Sequence, residues 1–356
     1  MRPHGLAFAL AAALALAPAA YGETSSPFIA PAPPKPKIVR LLAFGGAFDM
    51  KALQEFEQEA GFEVAYDAYD GAADLAQKLR DGPYDLIVLS GPAVAQQIAR
   101  GALAKLDKTR LRNARAVQPV VAAKLAAYDP SGAYAIAAGW FATGLIYDTD
   151  KMERRLGGPP VSWANLFVSA EVRKLGDCGV VLPDDRDALF IAAWRTLGVN
   201  PERARPLDVK SAGALLARAR LAVRAFPAPD VAGALASGAA CLAVGDAGEA
   251  EAATARSREG GEAAKFAFSL PREGGPLAIE AYAIPRNAQN AEEGYALLDF
   301  LLRPDIAAAD ARVARLVSPL ESGHDEAMKR LWPEGVYDPR VASAVEAEWA
   351  RLRAAK

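Results

Sequence analysis

The chain has 356 residues, of which 52% are hydrophobic and 24% charged, and this composition excludes a mostly disordered protein. A formal net charge of -2 leaves no excess of basic residues that would indicate nucleic acid as the main partner. Two histidines and two cysteines are too few for a multi-histidine or four-cysteine metal site. We therefore expect no metal and no cofactor.

The first segment has the pattern of an export signal. Arg2 provides a positive charge, residues 6–16 are an uninterrupted apolar run, and small residues precede a cleavage site near Gly22. The alternative is a membrane anchor, but a membrane span needs about 20 apolar residues. We predict a signal peptide over 1–22 and a periplasmic protein. Residues 23–37 are rich in proline and are predicted to form an extended tether.

The first predicted elements alternate between strand and helix. In chain order they are a strand at 38–44, a helix at 47–61, a strand at 62–69, a helix at 74–82, a strand at 84–90 and a helix at 92–103. This alternation predicts an α/β fold with a mostly parallel sheet.

The later part of the chain continues with mixed elements. Strands are predicted around 135–148, at 178–182, 241–244, 264–275 and 279–285, and helices at 162–167, 185–198, 208–226, within 228–241, at 248–258 and at 292–303. The last of these helices is strongly amphipathic and should stop before Pro304, because proline restricts the residue that precedes it.

Cys178 and Cys241 are the only cysteines, and an oxidising compartment permits a bridge between them. Each cysteine begins an apolar run that reads as a strand, and two strand starts can lie close together in one sheet. The alternative is a pair of buried free thiols.

No catalytic motif is evident in the sequence. Nucleophile-elbow, zinc-protease, Walker and dinucleotide-binding patterns do not occur. His324 is the one histidine beyond the signal segment, and its neighbours Gly323 and Asp325 suggest an exposed loop rather than a catalytic base. We therefore predict a binding protein, not an enzyme. Two α/β lobes joined by a hinge would leave a cleft at the strand ends for a ligand.

The residues from about 39 to 353 resemble the periplasmic polyamine-binding proteins of ABC importers, and most closely their putrescine-binding branch. The matching segments, in order, include EFEQEAGFEVAYDAYD, KLRDGPYDLIVLS, TGLIYDTDKM, SWANLF, CGVVL, AAWRTLGVNPE, SGAACLAVGDAGE and AYAIPRNAQNAEEGYALLDFLLRPD. The resemblance implies a type II-like fold of two lobes that close around a ligand. It also supports the bridge, because the putrescine branch carries a cysteine pair at these positions.

Lobe boundaries follow from the same resemblance. We expect residues 38–144 and 280–317 to form lobe 1, and residues 145–279 and 318–356 to form lobe 2.

The resemblance also implies a ligand site, although several of its positions differ here. The acid of the first loop is replaced by Gly46, a second acid by Ala188, and a late tyrosine by Leu316. Most of the aromatic walls are therefore expected to be missing. The predicted ligand-binding residues are Phe44, Ser90, Asp185, Asp246, Glu249 and Glu280.

Each of these residues also has a purely structural interpretation. Asp246 and Glu249 have the spacing of a helix capping box. Glu280 could face water from a strand, Ser90 could simply end one, and Phe44 could belong to the core. Trp140 is interpreted as a core residue rather than a wall of the ligand site.

The functional prediction is a monomeric periplasmic protein that delivers putrescine, another polyamine or another small organic cation to an ABC permease. A cation fits because a desolvated ammonium group requires carboxylates around it. One alternative is a binding module that feeds a membrane sensor or chemoreceptor. Another is an exported enzyme on the same scaffold.

Overall fold

The computed structural model describes residues 37–221 and 223–354. The predicted signal peptide, and the predicted tether up to residue 36, lie outside the described residues. The strands within those ranges are β1 Lys37–Phe44, β2 Phe62–Tyr69, β3 Leu86–Ser90, β4 Ala135–Ala142, β5 Gly144–Asp148, β6 Val180–Pro183, β7 Ala225–Ala228, β8 Leu242–Gly245, β9 Phe266–Ser269, β10 Gly275–Ala283 and β11 Leu331–Pro333.

The helices of the same ranges vary from one turn to sixteen residues. They are α1 Met50–Ala60, α2 Gly71–Asp81, α3 Gly91–Ala99, α4 Pro119–Leu125, α5 Thr149–Leu156, α6 Ala164–Phe167, α7 Ser169–Val172, α8 Arg186–Thr196, α9 Pro206–Arg220, α10 Val231–Ala236, α11 Ala247–Glu259, α12 Ala291–Leu301, α13 Pro304–Ala314, α14 Asp325–Met328 and α15 Pro339–Ala354. None of the helices in the described part of the chain is long and apolar enough to cross a membrane.

The first sheet contains β1, β2, β3, β4, β10 and β11. Strand β1 runs parallel to β2 and β3, as the alternation of the first elements predicted. Strand β10 returns from much later in the chain and pairs antiparallel with both β3 and β4. Apolar residues of the central strands, among them Leu41, Leu86 and Ile279, are buried against the helices. The fully buried β3 explains why its sequence is a continuous apolar run rather than an alternating one.

The second sheet has the order β7-β6-β8-β5-β9. Strand β6 is parallel to β7 and β8, whereas β5 is antiparallel to β8 and β9. Helices α8, α9 and α15 pack together around this core, in which Phe190 and Trp194 are completely buried. The structure thus has two α/β lobes, each with its own sheet.

The predicted helix over 208–226 is too long. Helix α9 ends at Arg220, and Ala225–Ala228 forms β7 instead. An alanine- and arginine-rich sequence favours a helix locally, but pairing with β6 at the edge of the sheet overrides that preference. Pro227 is compatible with this position because it lies on an edge strand.

The chain crosses from one lobe to the other at three places. These are Thr143 between β4 and β5, the turn at 270–274 between β9 and β10, and the segment at 334–338 between β11 and α15. Residues 318–356 were predicted to lie together in lobe 2, but β11 pairs with β10 in the first sheet, whereas α15 packs on α8 and α9 of the second lobe. The hinge itself stays a prediction.

Cys178 and Cys241 form a disulfide, with their Cα atoms 5.5 Å apart. Each cysteine lies just before a strand, and those strands, β6 and β8, are parallel neighbours. Parallel neighbours begin at the same edge of a sheet, which brings the two sulfur atoms together. The alternative of two free thiols is therefore wrong.

Removing this bridge should lower the free energy of unfolding by about 4 kcal/mol, because the bridge closes a loop of about 64 residues in the unfolded chain. Denaturant unfolding of the Cys178→Ser/Cys241→Ser double variant would measure the loss. A double variant as stable as the parent protein would contradict the prediction. The oxidised parent protein, denatured without reductant, should show no thiol that reacts with a labelling reagent.

Candidate functional site

Glu280 and Ser90 lie opposite each other where β10 pairs with β3. The pairing of β10 with β4 shifts register between Glu280 and Ala281, and such bulges redirect side chains near functional sites. The Oε2 atom of Glu280 is buried and has no hydrogen-bond partner within the described residues. This burial raises the pKa of Glu280 to about 8. One carboxylate oxygen of Glu280 is therefore shielded from water, although the residue as a whole is half-buried.

The second lobe contributes Asp185, the residue that caps α8. Its Oδ1 atom accepts a hydrogen bond of 2.9 Å from the backbone N–H of Ala188. Burial raises the pKa of Asp185, and the negative charge of Asp187 adds to the rise. Asp187 itself is paired with Arg186, whose Nε lies 2.9 Å from Oδ1. Asp185 therefore carries the unpaired charge at this end of α8.

Glu334 is a site residue that sequence reasoning missed. Its backbone is fixed from both sides: its N–H donates to the carbonyl of Leu277 at 3.1 Å, and its carbonyl accepts from the Tyr128 hydroxyl at 2.6 Å. The side-chain Oε1 atom is buried without a partner within the described residues. Burial raises the pKa of Glu334 far above its usual range, and the charges of Asp185, Asp187 and Glu280 raise it further. Glu334 thus brings the acids of the two lobes together.

Asp246 and Glu249 form the capping box that their spacing indicated. Glu249 N–H donates to Asp246 Oδ1 at 2.9 Å, and Asp246 N–H donates to Glu249 Oε2 at 3.2 Å. The other oxygen of each carboxylate takes no part in the capping hydrogen bonds. Burial raises the pKa of Glu249 to about 7, with smaller contributions from Asp246 and Asp185. The capping role is confirmed, whereas a role in ligand binding stays a prediction for both acids.

Phe44 is partly accessible and lines a narrow cavity together with Glu280. Trp140, by contrast, is buried and packs edge-to-face on His324, with the ring centroids 5.2 Å apart. This confirms Trp140 as a core residue. The His324 side chain has a hydrogen bond only with the nearby Glu321 within the described residues.

Three tyrosines surround the acids, although no pattern in the sequence indicated them. The Tyr337 hydroxyl donates to Asp187 Oδ1 at 3.3 Å. Burial raises the pKa of Tyr69, Tyr128 and Tyr337, and nearby carboxylates raise each of them further: Glu280 for Tyr69, Glu334 for Tyr128 and Asp187 for Tyr337. Tyr69 and Tyr337 are half-buried, whereas Tyr128 is only 3% exposed and belongs to the core of the first lobe. The expectation that most of the aromatic walls are missing stays a prediction.

The acids of the site have little positive charge beside them. Asp185, Glu280 and Glu334 form no ion pair with a basic side chain of the described residues, since Arg186 binds Asp187 and Glu346. Buried carboxylates without a partner are costly, so a cation that entered between the lobes would relieve this cost. Within the described ranges no group of three His, Cys, Asp or Glu residues is arranged to hold a metal ion.

Comparison with known proteins gives consistent matches. A family model described as bacterial extracellular solute-binding protein matches residues 51–330. The chain is 33% identical to a putrescine/agmatine-binding protein of Pseudomonas aeruginosa, over 71% of this chain and 70% of that protein. It is 30% identical to the putrescine-binding periplasmic protein PotF of Escherichia coli, over 85% of this chain and 87% of that protein.

A solved structure shows the same fold. It is a spermidine/putrescine substrate-binding protein, PotD, from Streptococcus pneumoniae, with a TM-score of 0.77 and 18% identity over 89% of this chain and 98% of that chain. At this identity the likeness concerns the fold alone.

Proposed function

The chain belongs to the bacterial extracellular solute-binding protein family, and on that premise we propose that it binds a small organic cation of the polyamine class for an ABC importer. The proposal includes export to the periplasm with cleavage near Gly22, a monomeric state, and an inner-membrane ABC permease as partner. It assigns no enzymatic activity to the chain.

One observation carries the proposal. Glu280 of the first lobe and Glu334 of the connection between the lobes each have a buried carboxylate oxygen without a partner among the described residues. Asp185 of the second lobe is close enough for its charge to act on Glu334. A diammonium solute would supply the missing positive charge, and its methylene chain could pack on the half-buried rings of Tyr69 and Tyr337.

The relatives support the same class of ligand. The Pseudomonas protein is named for putrescine and agmatine and the Escherichia protein for putrescine. Since several family ligand positions differ here, the particular cation has to be determined by experiment. Putrescine, cadaverine, spermidine and agmatine are the first candidates.

Putrescine or one of these relatives should raise the melting temperature of the protein. A ligand at about 100 times its Kd stabilises the folded state by about 2.7 kcal/mol, which amounts to several degrees for a chain of this size. Thermal unfolding with each cation would measure the shift. 1,4-Butanediol and succinate are matched controls, because they have the same carbon chain with neutral or negative ends.

A shift with succinate or butanediol, and none with any cation, would contradict the proposed function. In that case only the scaffold of the family would be retained.

A further inference from the structure

We propose that the narrow cavity lined by both Glu280 and Asp310 receives one primary ammonium group of the solute, and that Asp310 is a specificity-determining residue. This inference rests on the proposed function and deepens it. It adds a carboxylate from α13 to the site, and it restricts the ligand to cations with an unsubstituted amine end.

Asp310 is buried, with 5% of its surface exposed. Its Oδ1 atom accepts a hydrogen bond of 2.8 Å from the backbone N–H of Asp49, which holds the loop after β1. Its Oδ2 atom is also buried but has no hydrogen-bond partner within the described residues. A structural role therefore accounts for one oxygen of this carboxylate and leaves the other unexplained.

The other walls of the cavity are mostly apolar. They include Phe44, Phe48, Tyr282 and Leu316, and no basic side chain from residues 37–221 or 223–354 lines the cavity. Burial raises the pKa of Asp310 to about 7. Burial also raises the pKa of Tyr282, with a further contribution from the charge of Asp310, so the carboxylate lies near this ring. Nothing in the cavity wall neutralises Asp310, and a cation from the solute would.

The size of the cavity decides which cation fits. The cavity has room for about one water-sized group. A primary ammonium group is close to water in size and can donate up to three hydrogen bonds. A trimethylammonium group is far larger and donates none. The cavity should therefore discriminate strongly between an amine and its methylated form.

The test compares putrescine with its hexamethylated analogue, in which both ends are trimethylammonium groups. By isothermal titration calorimetry at pH 8, the parent protein should prefer putrescine at least about 100-fold. Asp310→Asn keeps the Oδ1 acceptor for Asp49 but removes the charge. It should weaken putrescine binding about 10-fold or more, the loss of one charge-assisted contact. Binding of the methylated analogue should stay the same.

Two further variants make the test specific. Asp305→Asn changes an exposed acid in the first turn of the same helix and should leave both affinities unchanged. Phe44→Leu widens the cavity without changing its charge and should reduce the preference for putrescine by strengthening binding of the methylated analogue.

The outcomes separate this inference from the proposed function. If putrescine binds the parent protein and Asp310→Asn changes neither affinity, or if Phe44→Leu leaves the preference unchanged, this inference is wrong and the proposed function stands. If no amine binds the parent protein at all, the proposed function fails and this inference fails with it.

Discussion

Replacing Glu280 by Gln should lower the affinity for the amine ligand at least about 30-fold at pH 8. Glu280 has a buried carboxylate oxygen without a protein partner, so its ionised form is stabilised chiefly by a bound cation. Removing one member of a desolvated ion pair costs about 2–5 kcal/mol, which is a factor of about 30 to several thousand in Kd. Gln has the same size and cannot ionise. Titration calorimetry of both proteins would measure the ratio.

Matched variants show whether the loss is specific. Glu326→Gln removes an acid whose side chain is 84% exposed and should not affect binding. Glu334→Gln should weaken binding about 10-fold or more, because Glu334 is the carboxylate that joins the two lobes. If Glu280→Gln and Glu334→Gln both bind as tightly as the parent protein, the site has been placed wrongly.

The ligand-free protein should become less stable as the pH rises from about 5.5 to about 8.5. Burial raises the pKa of Glu280 to about 8 and that of Glu249 to about 7, whereas an unfolded Glu titrates near about 4.3. Between these values the folded state holds protons that the unfolded state has already released. Each such group then lowers the free energy of unfolding by about 1.4 kcal/mol per pH unit.

Each of these carboxyl groups thus contributes its full stabilisation below the pKa that it has in the unfolded chain. This stabilisation is lost as the pH rises through the pKa that the group has in the folded protein. Binding has the opposite dependence, because a cation favours the ionised carboxylates. Affinity should rise by up to about tenfold per pH unit between about pH 6 and about pH 8 for each proton released. Melting curves and titrations across this range would measure both trends. Glu280→Gln should make the melting temperature and the affinity depend less on pH. If stability and affinity change in the same direction with pH, this prediction is wrong.

Much of the fold could be predicted because its signals are local. The alternation of short apolar strands with amphipathic helices predicted the parallel β1, β2 and β3, and Pro304 marked the end of α12 correctly. Strand β7 was missed because its sequence continues a helix-like composition and only pairing with β6 makes it a strand. Strand β11 has three residues, which is too short for a periodic pattern.

The candidate site was predictable only in part. Asp185, Asp246 and Glu249 stand at strand-to-helix junctions, where cap spacing can be read from the sequence. Glu334 and Asp310 have no such pattern, because their burial depends on segments far away in the chain. Glu334 is enclosed by β10 and Tyr128, and Asp310 by the loop after β1. Single acids of this kind cannot be distinguished in sequence from the many exposed ones.

Carboxylates between the two lobes are expected to hold an organic cation. Titration calorimetry of putrescine at pH 7, repeated in buffers that differ in ionisation enthalpy, counts the protons exchanged on binding. Glu280 is mostly protonated at this pH because burial raises its pKa to about 8. We expect the protein to release about one proton or more for each putrescine that binds. The number of protons released should be smaller in Glu280→Gln. Binding without proton release, or binding of succinate in place of putrescine, would contradict it.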